Sequence, residues 1–183
     1  MSESELLLIG ISMVLATGLV KCVEGLYHAI KSQQRHWVPP VLLSTTFIYG
    51  VNFLWAYKDN LVENPSYIFY ASSIALASTF FLRAHILATD SAAQVKDWGD
   101  HLHKAARPYF TAASMTSLLS LIALWSNGES TGFDVQSIPF WLGFGLHAAG
   151  GVSKKVLVWS TVGGASLLLQ VVGSYLLFTN DMI

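Results

Sequence analysis

Six apolar stretches account for most of this 183-residue chain, each near the ~20 residues that carry a helix across a ~30 Å hydrocarbon layer. They cover about 6–30, 38–57, 67–88, 108–125, 138–152 and 156–178. Only 11% of residues are charged and 53% are apolar, where a soluble domain carries roughly a quarter charged. A chain this short cannot bury that much apolar surface in its own core, which argues against a soluble globular enzyme. Disorder needs the opposite composition. The sequence predicts an all-α polytopic membrane protein with six transmembrane helices, residues 1–183 forming a single domain.

The breaks between stretches carry turn chemistry: Pro39-Pro40, Glu63-Asn64-Pro65, Asn127-Gly128, Gly132 and Asn180-Asp181. The prolines, Pro108 and Pro139 included, read as helix starts, where a missing amide costs nothing. The acidic opening Met1-Ser2-Glu3-Ser4-Glu5 is unlike the basic start of a secretory signal, so the first stretch is expected to be retained.

Orientation follows from the basic residues of the short loops. Lys31, Arg35, Lys96, Lys104, Arg107, Lys154 and Lys155 follow the first, third and fifth stretches, and the opposite side has Lys58 alone. This bias places both termini outside, with the basic loops in the cytoplasm of a cell whose inner membrane holds the protein. The third loop has helical periodicity of its own. Ser91 with Gln94 suits a capping box, Val95, Trp98 and Leu102 share a face, and Asp100 can pair with Lys104 one turn on. An amphipathic interfacial helix over 92–105 is therefore expected, a possible dock for a cytoplasmic partner. The six tryptophans (37, 55, 98, 125, 141 and 159) fall near helix ends, as belt anchors do.

Ionisable groups at membrane depth cost ~2.5–3.5 kcal/mol each and are therefore functional candidates. Lys21, Glu24 and His28 lie on one face of the first stretch, and Arg83 and His85 near the end of the third. Helical rise places Lys21 and Glu24 ~5 and ~10 Å beyond mid-helix, and Arg83 and His85 ~8 and ~11 Å beyond it toward the same side. Glu24 is therefore expected to pair with Arg83, Lys21 or both. Such a cluster reads either as a neutralised structural tie or as excess positive charge facing a wet path for anions or protons.

His147 stands mid-way along the fifth stretch among Gly143, Gly145, Gly150 and Gly151, with Gly163 and Gly164 opposite in the sixth. These small residues predict a close hairpin of the last two helices, with Asn52, Gln170 and Ser174 hydrogen-bonding across it. The shortness of the fifth stretch also suits a broken or re-entrant helix. His28 and His85 could in principle ligate haem b. His101 and His103 diverge on a helix and make a poor metal pair, so no metal site is assigned.

Cys22 is the only cysteine and cannot close an internal disulfide. A net charge of −1 without a basic run excludes a nucleic-acid footprint. No phosphate loop, nucleophile elbow or Cys–His arrangement occurs, so no catalytic residue is assigned and the chain is not expected to be an enzyme.

Gly18-Leu19, Glu24-Gly25-Leu26, Trp37, Asn52-Phe53-Leu54-Trp55, Asp97-Trp98 and Pro108-Tyr109-Phe110 together resemble small multi-spanning bacterial inner-membrane proteins of about this length with no assigned function. The resemblance implies a bacterial inner membrane and no mechanism. The leading functional expectation is a homo-oligomeric channel or transporter for an ion or small solute, with Lys21, Glu24, Arg83, His85 and His147 along its path. The alternatives are an accessory or scaffold subunit and a b-type haem electron carrier.

Overall fold

The structure, a computed structural model, describes residues 3–34, 36–59, 66–89, 92–126, 128, 133–134 and 137–180, with side chains given for all of these but 3, 4, 56–59 and 176–180. It is almost wholly helical: α1 (Glu3–Lys31), α2 (Val38–Asp59), α3 (Tyr67–Ala88), α4 (Trp98–Ser126), α5 (Ile138–Val152) and α6 (Val156–Asn180), with a 3₁₀ turn at Ala92–Gln94. Five of these helices are long and apolar enough to cross a membrane, and α5, with 15 residues, is a shorter apolar helix of ~22 Å. Large apolar side chains such as Leu157, Leu168, Val171 and Tyr175 lie exposed on the outside, a surface compatible with a membrane protein.

Neighbouring helices close a ring in the order α1, α3, α4, α5, α6, α2, and α2 also reaches across to α3 and α4. The ring is tight where glycine removes a side chain. Phe80 of α3 is fully buried between Gly18 of α1 and Gly50 of α2, and a Cβ at either glycine would stand 2.5 Å from its ring. Ser66 starts α3 by accepting the Phe69 amide at 3.1 Å, which satisfies one of the donors a helix start leaves open.

The expected interfacial helix over 92–105 is not a separate element. After the 3₁₀ turn, α4 runs unbroken for 29 residues, ~43 Å, through Pro108. Pro108 and Arg107 are exposed, so the Lys104 carbonyl that the proline leaves without its helical donor lies at the wet end of the rod. A rod this long exceeds a ~30 Å hydrocarbon layer, and Lys104, Arg107 and Pro108 lie exposed near its start. Asp97 starts the rod by accepting the Gly99 and Asp100 amides at 2.8 and 3.1 Å. Ser91, half of the expected capping box, lies outside the described residues, as do Arg35, the Glu63-Asn64-Pro65 turn and Gly132.

The apolar face of this extension is not free for a partner. Trp98 and Leu102 are fully buried against the protein itself, and the His101 ring Nε2 meets the Leu87 carbonyl at the end of α3 at 2.9 Å. Trp159 is also buried, so two of the six tryptophans are core residues, while Trp37, Trp55, Trp125 and Trp141 keep 38–60% of their surface exposed.

The glycines of α5 and α6 do not pack on each other as a smooth hairpin. Gly150 and Gly151 of α5 face Phe110 of α4, Gly143 faces Ser117 of α4, and Gly163 of α6 faces Leu42 of α2. Gly145 and Gly164 have nothing within 4 Å of an added Cβ. The reason is the ring order: α5 has α4 as its main neighbour, and α6 has α2. The α5–α6 turn is closed instead by Trp159, whose indole N–H reaches the Gly150 and Ser153 carbonyls at 3.0 and 3.1 Å. Asn52, Gln170 and Ser174 do meet, across α2 and α6: Asn52 donates to Gln170 at 3.4 Å, and Ser174 donates to the Asn52 side-chain oxygen at 3.0 Å.

Candidate functional site

The basic loops meet at one end of the bundle. The Ser32 hydroxyl donates to the Lys96 carbonyl at 3.3 Å, Gln34 bridges Asp97, and the His103 ring lies 5.0 Å from that of Trp159. Toward this end of α1, Lys21 Nζ donates to Glu24 Oε2 at 3.2 Å. Glu24 thus pairs with Lys21, one of its two expected partners, and among the described residues no ion pair joins it to Arg83.

Arg83 has a different environment. It is 2% exposed, and among the described residues no carboxylate reaches it. Its Nη2 donates to the Tyr109 hydroxyl at 3.2 Å. Its guanidinium carbon lies 5.3 Å from the Tyr109 ring centre and 5.5 Å from that of Tyr49, within cation–π range of both. The Tyr109 oxygen also lies 3.0 Å from the Thr46 hydroxyl and 3.2 Å from the Leu42 carbonyl, which accepts from Thr46 as well at 2.9 Å. Neutral dipoles and ring faces solvate the cation and leave its net charge in place. The Arg83 Nε–H is buried without an acceptor among the described residues.

Two hydroxyl contacts continue this interior seam. Tyr49 meets Ser120 at 3.1 Å, and the Thr116 and Thr79 hydroxyl oxygens lie 3.2 Å apart. From Tyr109 to Ser120 the seam follows α4 for ~17 Å. Thr79 lies one turn before Arg83 in α3, and neither it nor Tyr49, Thr116 and Ser120 stands out as a site residue from the sequence. The signal available was the run of hydroxyls Ser114, Thr116, Ser117 and Ser120 in an otherwise apolar helix.

His147 is buried in α5, with Nε2 3.1 Å from the Ser166 hydroxyl of α6 and its Nδ1 without a partner among the described residues. The His28 ring packs edge-on against Tyr27 at 5.1 Å, and the His85 ring stacks on Phe81 at 5.8 Å, each contact within its own helix. These contacts add no argument for a haem between them. Among the described residues no group of three or more His, Cys, Asp or Glu gathers as metal ligands would.

A groove of about 740 Å³ opens between α4 and α5, and Arg107, Lys154, His103, His147, Met115 and Phe144 are among the residues lining it. No family model, curated protein or solved structure matches the chain. The geometry alone therefore carries the functional argument.

Proposed function

We propose that the chain is a small integral membrane transport protein that passes an anion or an anionic small solute, working as a homo-oligomer in a cell inner membrane with its basic end in the cytoplasm. The observation that supports this reading is Arg83: a buried cation that, among the described residues, has no carboxylate partner and an N–H left open, at one end of a hydroxyl-lined seam. A structural tie needs a neutralised pair, because an unpaired buried charge is costly. Here the pair that would neutralise is spent locally, Glu24 on Lys21, and the arginine keeps its attraction for a mobile anion. The seam hydroxyls of Thr116 and Ser120 donate at rest to carbonyls one turn back, at 2.9 and 3.0 Å. A rotation about χ1 turns such a hydroxyl toward a passing ion. Lys21, Glu24, His85 and His147 remain the other residues of the proposed path. The reading is one of transport, without a catalytic step.

The test is anion flux into proteoliposomes, read by osmotic swelling in chloride, nitrate and phosphate salts. The wild-type protein should pass anions, Arg83→Lys should retain part of the flux, and Arg83→Gln should abolish it while the protein still elutes as one species. Wild-type flux no greater than that of protein-free vesicles would remove the reading.

A further inference from the structure

We infer that the groove between α4 and α5 is a binding site for an anionic phospholipid, with the phosphate at Arg107 and Lys154 and an acyl chain along Met115, Leu118 and Phe144. The groove does not include Arg83 and shares only His147 with the proposed path, and the lipid site does not depend on the transport reading.

The lining changes character along its length. On α4 the groove-facing residues His103, Arg107, Thr111, Met115 and Leu118 recur at helical spacing, so one stripe of the rod forms a wall. At the basic end the stripe is joined by Ser153 and Lys154 of the α5–α6 turn, and further in by Phe144 and His147 of α5. No carboxylate lines the groove among the described residues, and Arg107 and Lys154 are the charged side chains at its mouth. From His103 to Leu118 the wall is ~22 Å long, which is one headgroup layer plus the ~15 Å depth of a single leaflet's hydrocarbon.

The opposite wall is low because it is built from Ala148 and Gly151, which leave room for a chain to lie against the helix. The rim is apolar and open, with Val152 85% and Met115 57% exposed, so the groove is entered sideways from the bilayer. A free phosphate would satisfy the mouth and leave the apolar floor bare. An anionic phospholipid matches both parts, and basic pockets between transmembrane helices recognise lipid headgroups in this way. The volume is also within the roughly 300–1,000 Å³ of ordinary small-molecule sites.

The test uses the full chain in detergent, with native mass spectrometry to count retained lipids and phosphatidylglycerol, phosphatidylcholine and inorganic phosphate as probes. Phosphatidylglycerol should be retained about tenfold over phosphatidylcholine of the same chains, given the added attraction of each basic side chain near an anionic headgroup. Millimolar inorganic phosphate should leave that adduct in place. The double variant Arg107→Gln/Lys154→Gln should bring phosphatidylglycerol down to the phosphatidylcholine level, and Lys155→Gln, off the groove lining, should leave the preference intact. Ala148→Phe, which fills the groove, should lower retention of both lipids and carries the test if the double variant does not fold. Equal retention of the two lipids by the wild-type protein would overturn the proposal. So would displacement by inorganic phosphate, which makes the ligand a free anion, or an equal loss in Lys155→Gln, which reduces the effect to surface charge.

Discussion

The Arg83 guanidinium donates to the Tyr109 hydroxyl at 3.2 Å, joining α3 to α4 inside the ring of helices. Tyr109→Phe keeps the ring face and deletes this bond together with the hydroxyl's contacts to Thr46 and the Leu42 carbonyl, so it removes the whole polar part of the network. A hydrogen bond to a charged group contributes ~1.5–3 kcal/mol, and Tyr109→Phe should destabilise the fold by about that amount. Thr46→Val, which touches the same network through neutral groups, should cost closer to ~1 kcal/mol. Thermal or denaturant unfolding in detergent measures both. Equal and negligible effects would show that the cation–π contacts alone hold Arg83.

Phe80 is held in a slot that two glycines create. Gly50→Ala should cost ~1–3 kcal/mol, because a fully buried ring has no room to yield to a new methyl group. Gly164→Ala, with nothing within 4 Å of the added atom, should be close to neutral. Phe80→Leu combined with Gly50→Ala should be milder than the sum of the two changes, since the smaller side chain accepts the methyl group. Strict additivity in that cycle would contradict the wedge.

The end of α5 depends on one indole. Trp159→Phe keeps an aromatic ring beside His103 and loses the N–H bonds to the Gly150 and Ser153 carbonyls. The single N–H is shared between the two carbonyls, so the expected loss is that of one neutral hydrogen bond, ~0.5–1.5 kcal/mol. Hydrogen exchange should show it first in the α5–α6 turn, and unchanged protection there would count against the capping role.

At the wet end of α4, Lys104 donates to Asp100 at 2.6 Å. The hydrogen bond and charge of Lys104 hold the Asp100 carboxyl below its ordinary value of 3.8, and Asp100 raises the Lys104 ammonium above 10.5. The depressed carboxyl contributes stability that is complete above 3.8 and lost as pH falls through the lowered value. The raised ammonium contributes stability that is complete below 10.5 and lost as pH rises through the raised value. Asp100→Asn should flatten both limbs, and added salt should shrink them, because the pair is exposed. A carboxyl titration of Asp100 by NMR that sits at the ordinary value would remove the pair from the pH response.

Much of the fold could be read from the chain because apolar length and turn residues act locally. The structure puts α3 at Tyr67–Ala88 and α5 at Ile138–Val152, the limits the sequence pattern predicts. The boundary that moved furthest, the start of α4, has a physical cause: Pro108 imitates a helix start, yet the helix continues through it where its lost hydrogen bond falls at an exposed position. Partner choice was less legible. Helical spacing placed Lys21, Glu24 and Arg83 at one depth, but depth does not determine rotation about the helix axis, and Glu24 turns to Lys21 while Arg83 turns to two tyrosines. The glycines were legible as sites of close approach, though which helix approaches each one depends on the ring order, a property of the whole chain.

The 15 residues of α5 have a consequence for the surrounding membrane. A rod ~22 Å long set beside rods of ~33–43 Å leaves one flank of the protein ~8 Å short of a typical hydrocarbon layer. Hydrophobic mismatch of that kind is met by local thinning at a fraction of a kcal/mol per ångström. On the membrane reading proposed above, with α5 crossing beside the longer helices, the protein would present two different thicknesses to its surroundings, and short-chained lipids would gather along the α5 flank while longer ones accommodate the rest.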